Sequence, residues 1–223
     1  MAGNPERNTA ARRTRPARLT NVDAFFALNS VLFTLLCIFR YCDRFLHYRG
    51  PANIDEFLFY AATILASIGA LWLWLRTWDL PAWMLGLLQF GILIHFAGAY
   101  VPVAGGRLYD ACVLGIRYDK YVHFANAFII ALLVRFLYCT RARLDSLGNL
   151  FIVLIVLGLG AVHEISEYVV EKTVPNNGVG GYDNNMQDLV SNLVGASLCV
   201  LIFARRSLVL RRAESGAPPP GGA

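Results

Sequence analysis

The 223-residue sequence predicts an all-α polytopic membrane protein with six transmembrane helices, and three observations carry that prediction. Only 16% of the residues are charged and 57% are hydrophobic, at a mean hydropathy of +0.49, whereas a soluble domain carries about a quarter charged residues. The charges are also unevenly placed, leaving uncharged runs over residues 24–39, 57–75, 80–106, 121–134, 146–163 and 189–204. A helix needs roughly 20 mostly apolar residues to cross the hydrocarbon core, and six such helices fit. Within the runs the helical period prevails over alternation, which disfavours an outer-membrane barrel. A soluble enzyme, a disordered chain and a nucleic-acid-binding domain are excluded by this composition, despite a net charge of +5.

Residues 1–20 read as a basic tail, 21–206 as the membrane domain, and 207–223, with three consecutive prolines and several glycines, as a disordered tail. The first helix is expected over 24–41. It follows a basic stretch as a signal peptide would, but Arg40-Tyr41-Cys42-Asp43 stands where a small-residue cleavage site belongs, so it is read as retained. The second covers 57–75. The third, over 81–100, has Pro81 in its first turn, where a missing N–H costs nothing. The fourth, fifth and sixth cover 121–138, 147–168 and 187–203. Trp72, Trp74, Trp78, Trp83, Tyr100, Tyr121 and Tyr138 gather near these ends, as interfacial anchors do.

An even number of helices puts both termini on one side. That side holds 13 of the 20 Lys and Arg: Arg7, Arg12, Arg13, Arg15, Arg18, Arg76, Arg135, Arg141, Arg143, Arg205, Arg206, Arg211 and Arg212. The positive-inside bias therefore predicts cytoplasmic termini. The basic tail reads as an orientation signal beside anionic lipid. Of the five cysteines, Cys42 and Cys112 fall on the outer side and could pair in an oxidising compartment; no CxxC spacing suggests a thiolate zinc site or a redox pair.

The polar residues that carry information sit at helix ends in the second half. Asp119 and His123, four apart, open the fourth helix on one face. Near the end of the fifth come Glu164, Glu167 and Glu171 on a shared face, with His163 at its border. The sixth opens with Asp188 and Asn192, again four apart. All three clusters are predicted on the non-cytoplasmic side, within roughly 8 Å of the boundary at 1.5 Å of rise per residue, and His95 is a candidate to join them. Each residue alone is compatible with interfacial solvation or helix packing. Asn192 beside Gly195 and Ala196 suits close helix approach, and Glu171 beside Lys172 suits a solvated pair. Together they form a shallow polar cup.

Carboxylates held close in such a site repel, so they must bind protons or a cation or be matched by Lys or Arg, for which Lys120 is available. Asp119, His123, Glu164, Glu167, Asp183 and Asp188 are candidate ligands for a divalent ion such as zinc, manganese or magnesium. His123, Glu164, Glu167 and Asp188 are the candidate catalytic residues, as ligands or acid–base groups. No HExxH motif is present; His163-Glu164-Ile165-Ser166-Glu167 is only superficially like it. The connection over 175–183 reads either as a flexible turn or as a loop folding over the cup to bring Asp183 in.

Tyr118-Asp119-Lys120-Tyr121-Val122-His123-Phe124, followed by Glu164 and Glu167, Tyr182-Asp183, Gln187-Asp188 and Gly195-Ala196, resembles the pattern of the YjdF-like family, a largely uncharacterised group of bacterial inner-membrane proteins. The layout is more distantly similar to that of VanZ-like membrane proteins, associated with glycopeptide resistance and the cell envelope. The likeness is close over 118–196 and extends elsewhere only as hydropathy. Two departures stand out: the Arg that VanZ-like chains carry before the last helix is missing, and Tyr182 stands where YjdF-like chains tend to have Trp. The resemblance implies the bacterial inner membrane and points to no particular chemistry.

The sequence thus predicts an inner-membrane protein in contact with lipid and not with nucleic acid. Its foremost functional expectation is a metal-assisted hydrolase or transferase acting on lipid head groups or lipid-linked envelope substrates. A small proton- or cation-coupled transporter and a non-catalytic envelope-stress or interaction protein are the alternatives. A transporter needs ionisable groups through the depth of the membrane, and the inner halves of these spans offer little beyond Arg135.

Overall fold

The computed structural model describes residues 19–103, 106–173 and 180–215. Most of the basic tail, the prolines of the other tail and most of the 175–183 connection, including its expected fold over the cup, lie outside the described residues. Among the described residues, six helices are long and apolar enough to cross a membrane: Asn21–His47, Pro51–Leu75, Ala82–Tyr100, Tyr118–Cys139, Ser146–Lys172 and Tyr182–Ala204. The third agrees with expectation almost to the residue. The others run on at their polar ends, because a charged residue ends a hydrophobic run without ending a helix. Asp55 and Glu56, for instance, occupy the first turn of the second span, where the helix dipole favours acids.

The chain forms two compact units. Unit 1 comprises Met1–Leu87 and Val169–Val179. Its first span is one long helix: α1 (Asn21–Leu36), a π turn (Cys37–Tyr41) and α2 (Cys42–Arg49). Gly50, at φ 88°, ends it in a conformation open to glycine, and Pro51 starts the turn into α3 (Ile54–Leu75). Thr20 and Asp23 form a capping box at the start of α1. The other Asp23 oxygen accepts from Trp72 Nε1 at 2.7 Å and lies 3.4 Å from Arg76 Nε, tying α1 to α3.

Unit 2 comprises Leu88–Tyr168 and Gly180–Ala223. It holds the second half of α4 (Ala82–Tyr100), α5 (Tyr118–Cys139), most of α6 (Ser146–Thr173) and α7 (Tyr182–Ser215). Helix α5 is central: Val122, Ala127, Ile129, Ala131, Leu132, Leu133 and Leu137 are all buried. It packs so closely on α7 that a Cβ at Gly195 would overlap the Phe124 carbonyl oxygen. Between α4 and α5 lie two short antiparallel hairpins, β1 (Pro102–Val103) with β2 (Gly106–Arg107) and β3 (Cys112–Val113) with β4 (Ile116–Arg117), joined by a 3-10 turn over Leu108–Asp110. The second hairpin turns through Leu114 and Gly115, both at positive φ, as a two-residue hairpin loop requires. All five cysteines are free.

Candidate functional site

The polar side chains of unit 2 converge where α5 and α7 begin and α6 approaches its end. On α5, the spacing of Asp119, Lys120 and His123 turns all three toward the neighbouring helices. On α7, Asn185, Asp188 and Asn192 recur at three- and four-residue steps and are all buried. On α6, Glu164 is only 3% exposed, and Gly160, one turn earlier, leaves room for the Asn192 amide.

The centre of the network is Lys120, a buried cation. Its Nζ donates to Asp188 Oδ1 at 2.8 Å, Asn184 Oδ1 at 2.9 Å, Asp119 Oδ2 at 3.1 Å and the Asn184 carbonyl at 3.2 Å. Asn184 Nδ2 donates to the second Asp188 oxygen at 2.8 Å. A buried charge persists only when it is paired and hydrogen-bonded, and here both conditions are met on each side of the α5–α7 seam.

His123 extends the network toward α6. Its Nε2 lies 3.5 Å from Asp188 Oδ1 and its Nδ1 3.7 Å from Glu164 Oε1. The His163 ring stands 6.0 Å from the His123 ring, and its Nε2 is 3.4 Å from Glu167 Oε1. Neither Glu164 oxygen has a hydrogen-bond partner among the described residues, and the same holds for Asn185 Oδ1. His123, His163 and Glu164 each offer one ligand atom, all within 4.8 Å of one another.

The α4–α5 connection reaches the same network. Arg107 Nε pairs with Asp110 at 3.3 Å, and Arg117 bridges Asp110 at 3.3 Å and Asp119 at 3.2 Å. The Tyr109 hydroxyl and His95 Nδ1 are hydrogen-bonded. Burial, reinforced by the Glu167 carboxylate, pushes the Tyr109 phenol above the ordinary tyrosine range, so it remains a protonated donor at neutral pH.

Asp119, His123, Glu164, Glu167, Asp188 and Asn192, the residues nominated from sequence in unit 2's helices, thus lie close in space, but in different roles. Asp119 and Asp188 are engaged by Lys120, while Glu164 is left facing two imidazoles. Asn192 is a buried packing residue against Gly160. Asp183 is exposed in the first turn of α7 and, among the described residues, makes no hydrogen bond or ion pair to the cluster. His95 is engaged by Tyr109. Glu171, in unit 1, pairs with Lys172 at 3.1 Å. Sequence reasoning missed Asn184, Asn185, Arg117 and Tyr109, and gave His163 only a marginal place. The signal for Asn184 was available: it is one turn ahead of Asp188 once α7 is started at Tyr182.

Residues 20–208 match the model of a family described as predicted membrane protein, DUF2238. The chain belongs to that family, which corresponds to the YjdF-like group; the match carries nothing for the VanZ-like likeness. No curated protein and no solved structure matches the chain.

Proposed function

We propose that this member of the DUF2238 family is a membrane-embedded hydrolase or transferase acting, with the help of a divalent ion, on lipid head groups or lipid-linked envelope substrates. The observation that carries the reading is the Glu164 side chain, a buried carboxyl group placed beside two histidines with neither oxygen hydrogen-bonded among the described residues. Burying such a group without a partner costs on the order of 1–3 kcal/mol or more, a cost that folding alone gives no reason to bear. His123 lies about 8 Å along α5 from its start, which supports a cup near head-group level, where the phosphates of lipids and lipid-linked precursors lie. The positive-inside bias of the loops supports an outward-facing cup in a bacterial inner membrane, with both termini cytoplasmic.

In this reading a bound divalent ion supplies Lewis-acid polarisation of a phosphoryl or carbonyl oxygen. Glu167, half-buried beside His163, holds that imidazole in orientation, and the proton of the attacking water or acceptor hydroxyl passes to solvent. The new bond forms from that oxygen as the bond to the leaving oxygen breaks, and the leaving oxygen gains a proton from the site or from solvent. Asp188, fixed by Lys120 and Asn184, holds the His123 imidazole in orientation.

The test compares wild type and Glu164→Gln in proteoliposomes made from a bacterial polar lipid extract supplemented with polyprenyl pyrophosphate, with head-group species followed by mass spectrometry. Wild type alone should convert one phosphorylated species. Identical profiles for the two proteins overturn the reading.

A non-catalytic reading is favoured by one observation, the four-acceptor coordination of Lys120, which suffices to lock α5 to α7 without any ligand. It leaves Glu164 unexplained.

A further inference from the structure

Four carboxylates, Asp119, Glu164, Glu167 and Asp188, meet in unit 2, and among the described residues two side-chain cations reach them, Lys120 and Arg117. Four minus two leaves an excess of two negative charges, gathered on the His123–His163–Glu164–Glu167 side of the cluster. Such an excess in a site shielded from water must be met by protons or by a cation.

We infer that His123, His163 and Glu164 form a binding site for one borderline transition-metal ion of the zinc class, with Asp188 and Glu167 behind the two imidazoles as their orienting carboxylates. The inference rests on the metal-assisted reading above and narrows it. Two imidazoles and one carboxylate suit zinc, iron, cobalt or nickel, whereas magnesium and calcium prefer all-oxygen shells. Three protein ligands leave a coordination position for water or substrate, as catalytic zinc sites do. The arrangement behind the ligands matches what metal-bound histidines require: each imidazole has a carboxylate partner, Asp188 at 3.5 Å from His123 Nε2 and Glu167 at 3.4 Å from His163 Nε2. The second, independent sign of a ligand is that neither Glu164 oxygen is hydrogen-bonded among the described residues, on a side chain only 3% exposed.

Bonds of about 2.1 Å in a tetrahedral shell hold ligand atoms roughly 3.4 Å apart. The present spread of up to 4.8 Å therefore needs to contract by about 1.4 Å at its widest. His163, with 52% of its side chain exposed, is free to supply that movement by rotation. Asp119 and Asp188 are excluded as direct ligands by their engagement with Lys120, and Asp183 by its exposure.

The experiment is metal analysis of the full-length protein purified in detergent without chelator, joined to zinc and magnesium titrations and to the visible spectrum of Co2+ added to the stripped protein. Expected are about one zinc-class ion per chain, no magnesium at matched concentration, and Co2+ absorption characteristic of nitrogen and oxygen ligands. His163→Ala and Glu164→Gln should each weaken zinc binding by at least about tenfold, and Asp183→Asn should leave it unchanged. His163→Ala keeps the test meaningful even if Glu164→Gln fails to fold, because the His163 side chain lies outside the core. A protein that holds no zinc or cobalt above background, that prefers magnesium, or whose zinc affinity is unchanged in His163→Ala overturns the inference. If the metal binds as described while the lipid profiles stay identical, the metal site stands and the enzymatic reading falls. If a protein that binds no metal still converts lipid, the inference falls and the enzymatic reading loses its divalent ion.

Discussion

Lys120 Nζ lies 2.8 Å from Asp188 Oδ1, with the two side chains 8% and 1% exposed, so the seam between α5 and α7 is closed by a buried ion pair. The pair is fully satisfied: Lys120 has three acceptors besides Asp188 Oδ1, and Asn184 engages the second Asp188 oxygen. Replacing such a pair together is tolerable, whereas removing one member strands the other. Lys120→Met should therefore lower unfolding stability in detergent by about 3–5 kcal/mol. The double variant Lys120→Met/Asp188→Asn should recover part of that loss, because the stranded charge is gone. Thermal unfolding of the purified proteins reads both. A double variant as unstable as the sum of the singles would show that the two residues do not act as a pair.

Close approach along the same seam gives a second prediction. A methyl group at Gly195 meets the Phe124 backbone oxygen, which cannot move aside as a side-chain tip can. Gly195→Ala should cost about 1–3 kcal/mol as α7 is forced away from α5. Gly158→Ala meets nothing within 4 Å and should stabilise by about 0.5–1 kcal/mol through helix propensity alone. Equal melting temperatures for the two variants would remove close packing as the reason for glycine at 195.

These features differ in how far the sequence reveals them. The six spans are legible because lipid demands long uncharged runs, a constraint that acts on every residue of the run. Their ends are not, since Asp43, Asp55 and Glu56 continue helices that hydropathy closes early. The start of α7 shows the same limit with larger consequence. A connection over 175–183 and a helix start at 187 leave Asn184 and Asn185 outside the helix that presents them to Lys120 and to the Glu164 carbonyl. That Asp119, Glu164 and Asp188 sit near helix ends could be read from the spans alone. Which of them is paired could not, because Lys120 is one basic residue among several on that side, and its partners are set by packing 64 to 68 residues away. The hairpins between α4 and α5 are too short to leave a pattern beyond Gly106 and Gly115.

Tyr109 sets a pH dependence. Its phenol titrates above the ordinary value of 10.0, with burial as the main cause, Glu167, Tyr118 and Asp119 adding to the shift, and Arg107 opposing it. In the unfolded chain the phenol ionises from about pH 10, while in the folded chain it keeps its proton. Above that pH the unfolded state binds fewer protons than the folded one, so stability falls as pH rises. The contribution is fully present below pH 10 and is lost upward from there. Melting temperatures measured from pH 8 to 11 should therefore drop less steeply for Tyr109→Phe than for wild type. Parallel curves would mean that Tyr109 is as free to ionise in the fold as outside it.

The proposed orientation can be tested with two native cysteines at opposite ends of one helix. Cys112 is exposed in β3, six residues before α5, and Cys139 is exposed at the last position of α5, a 22-residue helix about 33 Å long. No other cysteine is needed, so two variants that each keep one of these and lack the remaining four suffice. If the cup faces outward, a membrane-impermeant maleimide added to intact spheroplasts should label Cys112 at once and Cys139 only after lysis. The reverse pattern would put the termini outside and the cup in the cytoplasm, which would redirect the search for a substrate to the inner leaflet. Labelling of both cysteines in intact cells would mean that α5 does not span the bilayer, and the shared depth of Asp119, His123 and Asp188 would lose its basis.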